Sequence, residues 1–207
     1  MPLPETLHDQ DDNRVIHHEL GHWLMAREMG FEVGKIVINS SRGKASGYAK
    51  VFPRASSRLD TAEAVDDYLS RRVRVLLAGV IVEIAWYKKT FGESLSDKDL
   101  KGIYENAVID RSGIGDKGKA EELLAILAGI RGETRAMDKD LNNQIRVLFV
   151  KIYRETEQIV ETFLEMLFVL ADLISSEPWQ DPDMLEMEKQ RLTELVGIAV
   201  GNTAIGA

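Results

Sequence analysis

The sequence predicts a mainly α-helical domain that carries one small β-hairpin. Apolar residues recur at helical spacing through most of the 207 residues, in segments that begin after Asp or Thr and end before Gly or Pro. Two runs rich in β-branched and aromatic residues, 31–39 and 45–52, flank a short polar loop that contains a glycine, as in a hairpin. The length suits a single hydrophobic core. We therefore predict one domain over residues 1–176, followed by a C-terminal helix and tail over 177–207.

Capping residues set the expected helix boundaries. The first helix should follow the caps at 11–13 and stop at Gly30, which places it over 14–29. Further helices are predicted over 61–89, 96–111, 120–130, 141–174 and 183–200.

One glycine-rich stretch, residues 113–120, almost matches the phosphate-binding pattern G-x-x-x-x-G-K-[ST]. Ala120 replaces the hydroxyl residue that would bind magnesium, and the stretch follows a helical pattern instead of a buried strand. We therefore expect an ordinary loop here and no nucleotide site.

The composition excludes several functional classes. The net charge is −8 and no basic cluster is present, which argues against a nucleic-acid partner. The absence of Cys excludes disulfides and cysteine-rich zinc ribbons and is compatible with a reducing compartment. The first residues lack the basic start and apolar core of a signal peptide. The longest apolar stretch, 75–82, is far shorter than the ~20 residues that span a bilayer. We expect a cytoplasmic protein without a membrane span.

The first predicted helix contains an intact H-E-x-x-H motif, His18-Glu19-Leu20-Gly21-His22. Residues four apart lie on one face of an α-helix, so His18 and His22 can offer two imidazole nitrogens to one metal ion. Glu19 points away from that pair but can hold and deprotonate a water molecule at the metal. His17 is expected to be an ordinary hydrogen-bonded residue.

Three acids are candidates for the remaining positions of the site. Glu83 lies where helical periodicity predicts burial, so it needs a partner, and a metal-bound imidazole N–H would supply one. Asp99 and Ser96 have the spacing of a helix capping box, which would explain Asp99 without a metal. Alternatively, Asp99 is the third protein ligand, because a catalytic zinc takes three. The residues alone leave Asp97, Asp99 and Glu83 open as the third ligand.

These motifs, in this order, resemble the peptidase domain of the FtsH family of ATP-dependent zinc metalloproteases. Residues 18–22 resemble its H-E-A-G-H, and 35–48 resemble a strand pair that ends in Gly-Tyr. Residues 76–83 resemble its L-L-G-G-R-A-A-E segment, and Asp99 with the leucine after it resembles its N-D-L. The resemblance covers roughly residues 14–176.

The resemblance implies a zinc-dependent endopeptidase. It assigns zinc to His18, His22 and Asp99, the role of general base to Glu19, and an orienting role to Glu83. It also implies that the hairpin lies beside the active site, where its edge could bind an extended peptide.

The chain departs from the family pattern in several places. Val80 replaces the family's Arg, Lys98 stands where its Asn would be, and a single acid occurs at Glu83. The family's ATPase module and its membrane anchor have no counterpart in these residues. We therefore expect a stand-alone peptidase domain that cleaves flexible or unfolded polypeptides, with a separate ATPase or unfoldase and a homo-oligomer as possible partners.

Two other functions fit the same motif. A non-catalytic, zinc-stabilised binding or regulatory module would need the ligands but has no chemical use for Glu19. Metal-assisted hydrolysis of another amide or ester would use all of these residues on a different substrate.

Overall fold

A computed structural model describes residues 11–41, 44–92, 96, 98, 113–131, 138–181 and 183–205. Within these ranges the chain forms five helices and one three-stranded antiparallel sheet, which confirms the predicted mainly α-helical class. The elements in chain order are α1 (Asp11–Glu28), β1 (Glu32–Ser41), β2 (Lys44–Phe52), α2 (Ala62–Phe91), α3 (Ile114–Ile130), α4 (Asp138–Ser175), β3 (Met184–Met187) and α5 (Lys189–Ile205). Of the helix predicted over 96–111, only residues 96 and 98 are described, so Asp97 and Asp99 lie outside the described residues.

The sheet contains the predicted hairpin and one strand that was not predicted. Its order is β2-β1-β3, and both pairings are antiparallel. The final helix was expected to begin at 183, but residues 184–187 form β3 and α5 begins at Lys189. Leu185 and Met187 are buried at alternate positions, because pairing with β1 overrides the local helical tendency of Met and Leu.

Helix α1 is packed between the sheet and α2. The fully buried Trp23 donates its indole N–H to the carbonyl of Gly34, 2.8 Å away, where the register of β1 with β2 is irregular. On the other side, a Cβ at Gly21 would lie 2.7 Å from the carbonyl oxygen of Ala78. The two helices can approach this closely only because residue 21 lacks a side chain.

Helix α2 runs through the centre of the molecule with a cap at each end. Thr61 accepts a hydrogen bond from the amide of Ala64, and Gly92 ends the helix with a positive φ of 38°. Its middle packs against α1, α3 and α4. Helix α4 in turn packs against α5 through apolar residues that recur at helical spacing.

The loop expected over 113–120 is wrong, because α3 begins at Ile114. Two of its glycines, Gly115 and Gly118, face open space, so each costs the helix about 1 kcal/mol relative to Ala. Packing of Leu124 and Leu127 in the core offsets that cost. None of the described helices has an apolar run long enough to cross a membrane.

Candidate metal centre

The two motif histidines lie side by side on the buried face of α1. Their Nε2 atoms are 3.0 Å apart, and their side chains are about nine-tenths or more buried. One helical turn separates them, as the spacing predicted. The rings meet edge to face, so both Nε2 atoms point into the same space next to α2.

The opposite ring nitrogens are held by the protein. Nδ1 of His22 is 2.7 Å from the carbonyl oxygen of Val75, and Nδ1 of His18 is 2.8 Å from Oε2 of Glu83. A carbonyl and a carboxylate accept hydrogen bonds, so both Nδ1 atoms donate, and an imidazole in its neutral, metal-binding form carries its lone pair on Nε2. Two lone pairs 3.0 Å apart need a cation or a proton between them.

Asp116 completes this cluster from the first turn of α3. Its Oδ2 lies 3.1 Å from Nε2 of His22 and 3.7 Å from Nε2 of His18. A tetrahedral zinc ion with bonds of ~2.0–2.1 Å would space its ligand atoms by roughly 3.3 Å. The three observed distances lie on either side of that value. His18, His22 and Asp116 therefore have the ligand types and spacing that fit such an ion.

The charges of the cluster also favour a bound cation. Burial alone would lower the pKa of His18, but hydrogen bonds with Asp116 and Glu83 outweigh it and raise the pKa to about 10. Burial opposes ionisation of Asp116, yet hydrogen bonds from His18 and His22 hold the pKa of this carboxyl well below its usual range. The site thus strongly favours a positive charge between the carboxylate and the imidazoles.

Of the acids considered from the sequence, only Glu83 lies within the described residues. It is completely buried and contacts His18 at Nδ1, the nitrogen that faces away from Asp116 and His22. Burial raises the pKa of its carboxyl, but hydrogen bonds from His18 and Arg14 bring it below the usual value. Glu83 therefore orients an imidazole and does not share the ligand face. Asp97 and Asp99 lie outside the described residues.

Asp116 was not singled out from the sequence. It lies among the glycines of residues 113–120, whose pattern resembles a phosphate-binding loop and not a metal site. One signal was available: a lone Asp four residues before the apolar stretch that starts at Ala120 is typical of a first helical turn. Its meeting with His22 depends on how α3 packs against α2.

Glu19, the expected general base, faces the hairpin. It is 7% exposed, and its Oε2 accepts a hydrogen bond from the amide of Ala49, 2.7 Å away. The amide of Ala45, on the same edge of β2, donates to Oδ2 of Asp11 at 2.6 Å. Two carboxylates of α1 therefore hold the outer edge of β2 beside the site.

His17, next to the motif, is part of the core. It is 4% exposed, packs against Trp86 and Phe168, and has its Nδ1 2.6 Å from the carbonyl oxygen of Asn13. Burial lowers its pKa to about 4, so the ring is neutral at physiological pH.

Comparison with known proteins shows a distant similarity to a metalloprotease. No protein-family model matches the sequence. The chain is 25% identical over 182 residues to the ATP-dependent zinc metalloprotease FtsH 2 of Symbiobacterium thermophilum. The alignment covers 84% of this chain and 29% of that protein, so the chain spans less than a third of the relative's length. By sequence, then, the chain is similar to a segment of a zinc metalloprotease.

Proposed function

We propose that this chain is a zinc-dependent endopeptidase domain. His18 and His22 would hold the ion through Nε2, and Asp116 would hold it through Oδ2, in the position that the sequence resemblance assigned to Asp99. The observation that carries the proposal is the convergence of these three atoms on a helix that also carries Glu19. The similarity to a protein named a zinc metalloprotease supports the same reaction class.

The reaction needs a polarised carbonyl, an activated water and a proton carrier. A zinc ion held by His18, His22 and Asp116 would supply a Lewis acid and would lower the pKa of water to about 7. Glu19 accepts the proton of the attacking water on its carboxylate and then donates it to the nitrogen of the leaving amine. Glu83 and the carbonyl of Val75 keep the two imidazoles oriented by accepting their Nδ1 protons.

The substrate class follows from the surroundings of the site. β2 is an edge strand of the sheet and lies beside Glu19. An extended polypeptide could pair with the parts of this edge that α1 leaves uncovered, which requires a flexible or unfolded segment. We propose such segments as substrates, and a separate ATPase or unfoldase as the partner that would supply them from folded proteins.

The experiment is metal removal and restoration. The protein is stripped with a chelator, and cleavage of dye-labelled, unfolded casein is measured before and after one equivalent of zinc is added. We expect cleavage only with zinc, and a loss of zinc affinity in Asp116→Asn. Asp172→Asn, at an exposed acid on α4, is the matched control. Cleavage that persists in the stripped protein would contradict the proposal.

A non-catalytic zinc-stabilised module is the second candidate, because Glu19 has a structural contact. Its hydrogen bond with Ala49 ties α1 to β2 and gives this carboxylate a use without catalysis. Glu19→Gln separates the two functions: the amide oxygen of Gln can still accept that hydrogen bond, but Gln cannot carry the proton. A module would tolerate the change, whereas a peptidase would lose activity.

A further inference from the structure

A chain of hydrogen bonds connects His18 to the outer edge of β2. Glu83 uses both carboxylate oxygens: Oε2 lies 2.8 Å from Nδ1 of His18, and Oε1 accepts from Nη1 of Arg14 at 3.0 Å. Arg14 also donates from Nε to Oδ1 of Asp11 at 2.7 Å. Asp11 in turn accepts the amide of Ala45 on its other oxygen.

The sequence spacing explains how one helix supplies most of this chain. Asp11, Arg14 and His18 lie three and four residues apart on α1, so their side chains form one row on its surface. Glu83 enters from α2 and is completely buried, whereas the side chain of Arg14 is 14% exposed. The guanidinium thus covers the buried carboxylate on the side that faces solvent.

We propose that Arg14 is a positioning residue of the metal site, a role that rests on the proposed zinc function. Arg14 fixes the plane of the Glu83 carboxylate, and this carboxylate fixes the ring of His18 so that Nε2 faces His22 and Asp116. Arginine suits this task because its planar fork donates in two set directions, here to Glu83 and Asp11. Without the guanidinium, a buried carboxylate would lose a cationic partner and its fixed orientation.

The test measures zinc affinity by competition with a chromophoric chelator, a readout that does not depend on cleavage. We expect Arg14→Met to weaken zinc binding by about 10–100-fold, the range typical of residues that orient metal ligands. Arg14→Lys should recover part of the loss, since it keeps the charge but not the fork. Arg27→Met, at an exposed arginine on the same helix, should bind zinc as the wild type does.

A second pair of variants tests whether Arg14 acts through Glu83. In a Glu83→Gln background, replacing Arg14 by Met should cause no further loss of zinc affinity, because the carboxylate on which Arg14 acts is gone. Equal losses in both backgrounds would overturn the proposal, as would wild-type affinity in Arg14→Met. In either case zinc binding by the wild type would leave the proposed function standing. A wild type that binds no zinc would remove both.

The folding of each variant is followed by circular dichroism and thermal unfolding. If Arg14→Met does not fold, Arg14→Lys carries the test with the same cycle. A Lys variant that folds and shows wild-type zinc affinity would contradict the need for the two-directional contact.

Discussion

The substitution Gly79→Ala should disrupt the proposed metal site from the side of α2. A Cβ built at residue 79 would lie 2.5 Å from Nε2 of His22 and 2.9 Å from Nε2 of His18. The shorter distance falls about 0.9 Å below the 3.4 Å at which ordinary contact begins. The methyl group would therefore stand against both proposed ligand atoms, where zinc would need to bind within ~2.0–2.1 Å of each.

The two histidine rings can relieve this overlap only by turning. Turning would break their hydrogen bonds with Val75 and Glu83, each about 0.5–3 kcal/mol. Ala is favoured over Gly within a helix by about 1 kcal/mol, so the net loss of stability of the metal-free protein should be about 0–5 kcal/mol. Zinc affinity should fall by about 100-fold or more, because both ligands move at once.

The assay compares Gly79→Ala with Gly197→Ala, a helical glycine on α5 whose added Cβ meets nothing within 4 Å. Zinc affinity is measured by chelator competition, and stability by urea unfolding of the metal-free proteins. The control should keep wild-type affinity and gain about 0.5–1 kcal/mol of stability. Wild-type zinc affinity in Gly79→Ala would refute the placement of the ligand atoms against α2.

Three further predictions concern the surroundings of the site. Asp116→Asn should lower zinc affinity by at least about 10-fold while the helical circular dichroism stays unchanged, since it removes a charged ligand and keeps the shape; unchanged affinity would exclude Asp116 as a ligand. Ala49→Pro removes the backbone N–H that donates to Glu19. Cleavage should fall by about 10–100-fold, which is the free energy of one hydrogen bond to a charged group expressed as a rate, and zinc affinity should be retained. Cleavage equal to the wild type would show that the contact does not position Glu19. The stability of the metal-free protein should fall as pH rises from 6.5 towards 10. Burial lowers the pKa of His18, but hydrogen bonds with Asp116 and Glu83 outweigh burial, so folding raises this pKa from its ordinary 6.5 to about 10. The stabilisation is complete below pH 6.5, thermal unfolding across this range measures it, and a flat profile would contradict the charge assignment.

The sequence predicted those features that depend on residues close to one another in the chain. The end of α1 before Gly30, the spacing of His18 and His22, and the hairpin all depend on residues close in sequence. The start of α1 was predicted less well, because residues 11–13, expected as caps, lie within the helix. The burial of Glu83 was also predictable, because helical periodicity places this acid within an apolar stretch. Its need for a partner follows from that burial.

Long-range packing decided what the sequence did not predict. β3 exists because β1 has an open edge beside it, and Met184 and Leu185 are otherwise good helix formers. The position of Asp116 beside His22 depends on how α3 packs against α2, which no local pattern encodes. No sequence pattern identifies Arg14, and only the fold shows that it reaches a carboxylate on another helix.

The most direct measurement of the central claim is cleavage of unfolded casein by the wild type and Glu19→Gln, with bound zinc determined in both samples. Gln has nearly the same shape as Glu and can still accept the hydrogen bond from Ala49, so both proteins should bind one zinc ion. We expect the wild type to cleave the substrate and Glu19→Gln to be slower by about 100–10,000-fold, the contribution of a general base. Equal zinc content and equal cleavage rates in the two proteins would contradict the assignment of Glu19 and the mechanism built on it.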